Sequence, residues 1–315
     1  MQKGFKKQSL RESHEEKKQM QYQDIVHQSI DMTAGPLSGH PLCAFTVDVE
    51  DWYQSCIDFD APITEKVVKN TERVLAILNR RNVKGTFFVQ GRVAETFPKL
   101  LQQLVTEGHE IQSHGYSHRP VNKMNREELK LELKLARKTV EDACGVQVTA
   151  FRAPDFTIDR ENIWALEVLV ETGFKVDSSI FPMRTHRYGI SGYPMVPHRI
   201  ELPGGADIME VPVAIWSSGK IRIPVAGGGY FRLFPGFVLE KLFATMMTRQ
   251  PVIVYCHPYE FNAHDLDEYY RMNVSKTFLI AQGLGRSFYG KKIDGLFQRL
   301  PFGRFDQVLE TWRLK

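Results

Sequence analysis

Residues 66–89 read KVVKNTERVLAILNRRNVKGTFFV, and two hydrophobic periods meet within them. Over Lys66–Arg81 the apolar residues Val67, Val74, Leu75 and Leu78 fall along one face of a helix. After Asn82 the pattern changes to the short apolar run Gly85–Val89, which predicts a buried strand. The same alternation continues on both sides. Strands are predicted at Leu42–Val47, Glu110–Gln112, Thr149–Arg152, Lys175–Asp177, Ile208–Val213 and Pro251–Tyr255. A helix is predicted over Arg126–Ala143, because Asn125 is a good N-cap, Glu128 is the third helical residue and Gly145 follows the end. Asp159 is placed to cap another helix over Arg160–Glu171, which stops before Gly173. Repeated units of strand then helix imply a parallel sheet, and about seven strands suggest closure or near closure into a barrel. The fold class expected is therefore α/β, a distorted (β/α)7-type barrel with a C-terminal extension. An open doubly wound sheet is the competing architecture. No GxGxxG follows the first strand, so a dinucleotide fold has little support.

Residues 1–38 are polar and charge-dense and end in the breaker run Ala34-Gly-Pro-Leu-Ser-Gly39. They read as a mobile tail, because they offer too little apolar surface to offset the entropy of ordering. Residues 39–315 read as one catalytic domain, with about 261–315 as its extension. The formal net charge is +4, from 41 Lys and Arg against 37 Asp and Glu, and the excess is dispersed, which argues against nucleic acid. The four cysteines form no CxxC pair, so neither a disulfide framework nor a structural zinc cluster is expected. The basic N-terminus lacks an apolar signal core, and no run is long enough to span a bilayer. A cytoplasmic location is the resulting expectation, and the sequence is silent on oligomeric state.

The polar residues with chemical potential cluster just after predicted strands: Asp48, Glu50 and Asp51, then Ser113-His114, Arg152, Asp177 and His257. In a β/α barrel those strand ends converge on one mouth. His114 and His118 are four residues apart, so both imidazoles can reach one ion if the loop coils. A carboxylate from the first strand would complete a His-His-carboxylate site suited to Zn²⁺, with Co²⁺ or Mn²⁺ as alternatives. Along an extended strand Asp48 and Glu50 face one side, whereas Asp51 joins them only if the chain turns. A second carboxylate beside the ion could act as general base on a water. The rival reading of these residues is a polar strand end with two unrelated loop histidines. Cys256 beside His257 does not suggest a Cys-His nucleophile, since adjacent strand residues point to opposite sides. The nearby aromatics read mainly as core, and Gly227-Gly-Gly229 as a tight turn that permits close approach near the mouth.

Taken in order, six segments resemble the polysaccharide deacetylases with a NodB-type domain: Thr46-Val-Asp-Val-Glu-Asp51, Gly85-Thr-Phe-Phe-Val89, Ser113-His-Gly-Tyr-Ser-His118, Phe151-Arg-Ala-Pro154, Val176-Asp-Ser-Ser179 and Val254-Tyr-Cys-His-Pro258. The resemblance runs from about residue 42 to 260. It extends to about 310 for the branch associated with exosortase-linked exopolysaccharide loci, through Asp177-Ser-Ser-Ile-Phe-Pro182, His186-Arg-Tyr-Gly189, Gly227–Pro235 and His257-Pro-Tyr-Glu260. It implies that Asp48 is the general base, that His114 and His118 are metal ligands, and that His257 is the general acid. It implies further that Arg152 orients the base carboxylate and that Asp177 orients or tunes the catalytic histidine. The third ligand stays open between Glu50 and Asp51, because the family pattern has two adjacent aspartates and this chain has Asp-Val-Glu-Asp. The implied activity is release of acetate from N-acetylhexosamine units of a polysaccharide or oligosaccharide. Hydrolysis of another linear or cyclic amide, and an inactive carbohydrate-binding role, are the alternatives.

Overall fold

The computed structural model describes residues 20–32, 35–36, 41–185 and 187–314. Its strands are β1 (Val26–Ser29), β2 (Cys43–Val49), β3 (Thr86–Val89), β4 (Glu110–Ser113), β5 (Ala150–Phe151), β6 (Val176–Asp177), β7 (His198–Glu201), β8 (Asp207–Glu210), β9 (Ile215–Ser218), β10 (Ile221–Pro224), β11 (Val252–Cys256) and β12 (Phe302–Gly303). All seven residues of β2 are buried, which is why it opens on the apolar run Cys43–Phe45 rather than on an alternation. Strand β2 pairs in parallel with β3 on one side and β11 on the other, and β12 lies parallel to Cys43 and Ala44 at its start. From β3 the parallel order continues through β4, β5 and β6 to β8. Between β8 and β11 no strand ladder forms. The ring is bridged there by single bonds: the Ala214 amide donates to Ile253 at 3.0 Å and the Tyr255 amide to Ala226 at 2.9 Å. The result is the expected distorted barrel of parallel strands, with its irregular seam at β8–β11.

Local rules explain the helices that fill the crossovers. Lys66–Arg81 buries Val67, Val74, Leu75, Ile77 and Leu78 and ends at Asn82, which takes the left-handed conformation (φ 51°) that Asn tolerates. Arg126–Cys144 begins with the expected capping box. Asn125 Oδ1 accepts from the Glu128 amide at 3.0 Å, the Glu128 carboxylate takes the Asn125 amide, and Gly145 closes the far end at φ 72°. Such a cap stabilises by about 1 kcal/mol. The helix expected over Arg160–Glu171 starts only at Ala165. Upstream, Asn162 accepts from the Asp159 amide and donates to the Thr157 carbonyl, while Asp159 accepts from the Glu161 amide, so side chains hold turns in place of helix.

The polar segment expected to be a mobile tail is not uniform. Residues 1–19, 33–34 and 37–40 lie outside the described residues. Strand β1, however, pairs antiparallel with β7 in the register Val26↔Glu201 to Ser29↔His198, and Met20 and Ile25 are buried. That part of the expectation therefore fails: backbone hydrogen bonds to an exposed sheet edge and two apolar anchors order a segment whose own composition is polar. The β7–β8 pair and the β9–β10 hairpin likewise lie in stretches where no strand was predicted, apart from β8 itself.

Candidate metal centre and acid–base pair

The C-terminal ends of the barrel strands open into a cavity of about 540 Å³ whose walls include Asp48, Glu50, His114, His118, Asp155 and His257. Asp48 and Glu50 share one face of β2 and its continuation, two residues apart, as strand geometry requires. Buried Glu50, His114 and His118 present ligand atoms that all lie within 4.8 Å of one another. Glu50 Oε2 is 3.4 Å from His114 Nε2 and in close contact with His118 Nε2. Glycine at 115 (φ 74°) and a left-handed His118 (φ 65°) coil the loop so that both rings converge.

The surroundings orient these donors. His114 Nδ1 lies 2.9 Å from the Arg152 carbonyl, a contact that orients the ring with Nε2 toward Glu50. Glu50 Oε1 accepts from the Tyr259 hydroxyl at 3.0 Å, which leaves Oε2 for the histidines. Two imidazoles and a carboxylate, buried and mutually oriented, fit a divalent cation. Asp51, the alternative ligand, is placed elsewhere. Its carboxylate accepts from the amides of Tyr53 (3.1 Å), Gln54 (3.5 Å) and Thr64 (2.9 Å) and from the Thr64 hydroxyl, capping the Trp52–Cys56 helix. The chain does turn after Glu50, but the turn aims Asp51 into a helix terminus rather than at the ion.

Asp48 and Arg152 are brought together as expected. The buried Arg152 donates to Asp48 Oδ1 at 2.8 Å, to Thr46 Oγ1 at 2.7 Å and to Ser178 Oγ at 3.2 Å, with its guanidinium 4.1 Å from the centre of the Phe88 ring. Beside it, Asp155 and Phe156 both have positive φ (54° and 53°), a conformation non-glycine residues hold only at a cost. His257 ends β11 and stacks on Tyr259, ring centres 5.0 Å apart and nearly parallel. Burial opposes its charging, but Glu260 beside Nδ1 and the carboxylates of Glu50 and Asp48 outweigh this and push the imidazole up to about 9. Glu260 is fully buried, yet its hydrogen bonds and the charges of His257 and Arg232 hold it down to about 2. Arg232 forms an ion pair with Glu260 Oε1, while Oε2 takes the His257 amide at 3.0 Å and faces Nδ1 at 3.3 Å.

Asp177, expected to orient the catalytic histidine, is placed away from it. Its carboxyl accepts from the Ser179 hydroxyl and adjoins Glu210, its cross-strand neighbour on β8. Burial pushes Asp177 up to about 6, and burial plus the Asp177 charge push Glu210 well above the carboxylate range, so the two share a proton. Glu260, Arg232 and Tyr259 are the residues that sequence reasoning missed. The capping spacing from His257 to Glu260 was a usable signal, whereas nothing local links Arg232 to a residue 28 positions on. Gly227 and Gly228 behave as expected: a Cβ on Gly227 would lie 2.2 Å from the Tyr255 carbonyl, and Gly228 (φ 62°) lines the cavity. Cys256 is a buried thiol facing the Thr46 carbonyl at 3.6 Å, with no contact to the His257 ring.

Residues 55–176 match the model of the polysaccharide deacetylases, and residues 178–310 match a domain of unknown function (DUF3473). The chain is similar to a peptidoglycan-N-acetylglucosamine deacetylase of Bacillus cereus, 33% identical over 98 residues, 31% of this chain and 36% of that protein. It is also similar to chitin deacetylase 1 of Cryptococcus neoformans, 32% identical over 112 residues, 36% of this chain and 22% of that protein. These alignments span about a third or less of the length of the curated relatives. A Mycobacterium smegmatis crystal structure ascribed to the polysaccharide deacetylases shares the fold, with a TM-score of 0.58 at 19% identity over 91% of this chain and 95% of that one. So does an allantoinase, with a TM-score of 0.57 at 14% identity over 86% and 90%. Residues 55–176 are thus similar to polysaccharide deacetylases, and the fold of the chain is shared with solved structures at low identity.

Proposed function

We propose that the chain is a metal-dependent N-deacetylase acting on N-acetylhexosamine units of a bacterial exopolysaccharide or its precursor, in the cytoplasm or at the inner membrane face. One observation carries the reading: Asp48, held by Arg152, and His257, held by Glu260, border the same cavity as the Glu50–His114–His118 set. These three residues would hold the ion, Zn²⁺ first given two nitrogens and one oxygen, with Co²⁺ or Mn²⁺ as alternatives. When bound, it supplies Lewis-acid polarisation of the acetamide carbonyl and acidifies water.

The chain's own residues supply the proton movements. Arg152 fixes the Asp48 carboxylate by a charge-assisted hydrogen bond and leaves Oδ2 to accept a proton from the attacking water. His257, kept charged by Glu260, donates from Nε2 to the departing nitrogen as the C–N bond breaks. Water and amide thereby become acetate and a free amine. The lining aromatics Phe59, Tyr188 and Tyr259 provide apolar faces against which a sugar ring can pack.

Metal-loaded protein should form free amine from N-acetylglucosamine oligomers and leave a small cyclic ureide intact. Turnover of the ureide alone would replace this reading with cyclic amide hydrolysis.

A further inference from the structure

Large apolar side chains on the surface are concentrated in one part of the molecule. Tyr230, Leu233, Phe237, Ile280, Leu284 and Phe288 are each more than half exposed, Phe288 by 68%. They lie on the helices Gly228–Leu233, Gly236–Met246, Lys276–Gly283 and Arg286–Arg299 or on the links between them. Hydrogen bonds tie the two pairs of helices side by side. Arg232 Nε donates to the Leu284 carbonyl at 3.0 Å, and Lys292 Nζ donates to the Phe231 and Arg232 carbonyls at 2.9 and 2.6 Å.

The charge pattern on this face is one-sided. Lys241 follows Phe237 by four residues, Lys276 precedes Ile280 by four, and Lys291 follows Phe288 by three, so three of the six exposed apolar groups have a lysine one turn away. All three lysines are exposed, and among the described residues no carboxylate lies within ion-pair distance of them. The acidic residues of these helices are engaged elsewhere, Glu240 with Arg299 and Asp294 with Arg80 and Arg81. Bulky apolar groups interleaved with unpaired lysines are the composition of a face that rests in a lipid headgroup layer. No helix of the described residues is long and apolar enough to cross a membrane, so any such contact is peripheral. The face also adjoins the catalytic mouth, since Gly228, Gly229, Arg232, Phe278 and Gln282 line the cavity.

We propose that this face docks on an anionic lipid bilayer and sets the mouth of the cavity against the membrane surface. Docking goes beyond the hydrolase reading and does not depend on it. The test is co-sedimentation of the full chain with vesicles of phosphatidylcholine, with or without phosphatidylglycerol. Wild-type protein should pellet with the anionic vesicles and largely stay in solution with the neutral ones. Phe237→Ser/Leu284→Ser/Phe288→Ser should weaken anionic-vesicle binding by roughly tenfold or more, while leaving acetate release from soluble oligomers unchanged. Lys241→Glu/Lys276→Glu/Lys291→Glu, which removes no packed group, should abolish the preference for phosphatidylglycerol. Wild-type protein that stays in solution with both vesicle types would overturn the proposal. So would self-association by sedimentation velocity that the serine variant abolishes, which would assign the face to a second copy of this chain. Loss of acetate release by every form would sink the hydrolase reading and leave the vesicle result standing.

Discussion

The two walls of the cavity are built by different rules. The wall from β2 to β5 supplies Asp48, Glu50, His114, His118 and Arg152, each at or just beyond a strand end. Its geometry follows in part from short-range facts, a two-residue repeat and an HxxxH loop, to which the fold adds an arginine just beyond β5, three strands from β2 in the sheet. The wall from β6 onward supplies His257 on a strand end too, but everything that tunes His257 is remote or coiled. Glu260 sits in the turn after β11 and Arg232 comes from the helix after the glycine run. Residues 55–176, which match polysaccharide deacetylases, hold His114, His118 and Arg152 of the first wall, while Asp48 and Glu50 precede that match; residues 178–310, which match a domain of unknown function, hold Arg232, His257 and Glu260 of the second. On the proposed reading the first wall would hold the ion and the base, and the second would set the acid.

Removing a ligand should have the largest effect. His114→Ala is expected to lose bound metal on dialysis and to lower turnover by at least roughly a thousandfold. Metal content unchanged from wild type, measured by atomic emission, would break the assignment of the first wall. Asp48→Asn should retain the ion and lose about 10²–10⁴-fold in kcat, as removal of a general base does. A variant with the wild-type rate would free Asp48 of that role.

The second wall is tested by pH. On the proposed mechanism protonated His257 is the active form, so kcat should fall as pH rises through its pKa. That limb should lie at or below about 9, because a bound cation opposes the pull of Glu50. Glu260→Gln removes the charge that raises the imidazole, so the alkaline limb should move to lower pH with kcat down about 10-fold or more and metal content unchanged. A limb that does not move would mean that Glu260 is only a structural cap. The smallest effect is expected at Asp177 and Glu210. Both carboxyls hold protons more tightly folded than unfolded, so stability should decline as pH rises from near 3.8 through about 6. Glu210→Gln should flatten that decline in urea unfolding and change stability by no more than about 1 kcal/mol at neutral pH. An undiminished slope would show that the pair does not share a proton.

Much of this was legible in the sequence because it is periodic. The barrel strands and the helix over Lys66–Arg81 lie where alternation and helical spacing put them, and the parallel order follows from repeated strand–helix units. The sequence leaves the third ligand open between Glu50 and Asp51, although Glu50 shares the strand face of Asp48. Asp51 does not, and its role as a helix cap depends on Thr64 folding back across it, a contact no local pattern reveals. For Asp177 the orienting role is implied only by the family resemblance of Val176-Asp-Ser-Ser179. Its actual partner, Glu210, is fixed by β6–β8 pairing, and a connection of more than thirty residues containing β7 hides that pairing from the sequence. Strand β1 was missed for the opposite reason: its residues are polar, and the sheet edge it joins, not its own composition, orders it.

The central claim is that one cavity joins an ion held by Glu50, His114 and His118 to the acid–base pair Asp48 and His257. Acetate release from N-acetylglucosamine oligomers tests it most directly, using protein stripped by chelator and resupplied with Zn²⁺, Co²⁺ or Mn²⁺. The account predicts no release from stripped protein and restored release with at least one of these ions. Equal release before and after stripping, or none with any ion although the ion binds, would contradict it.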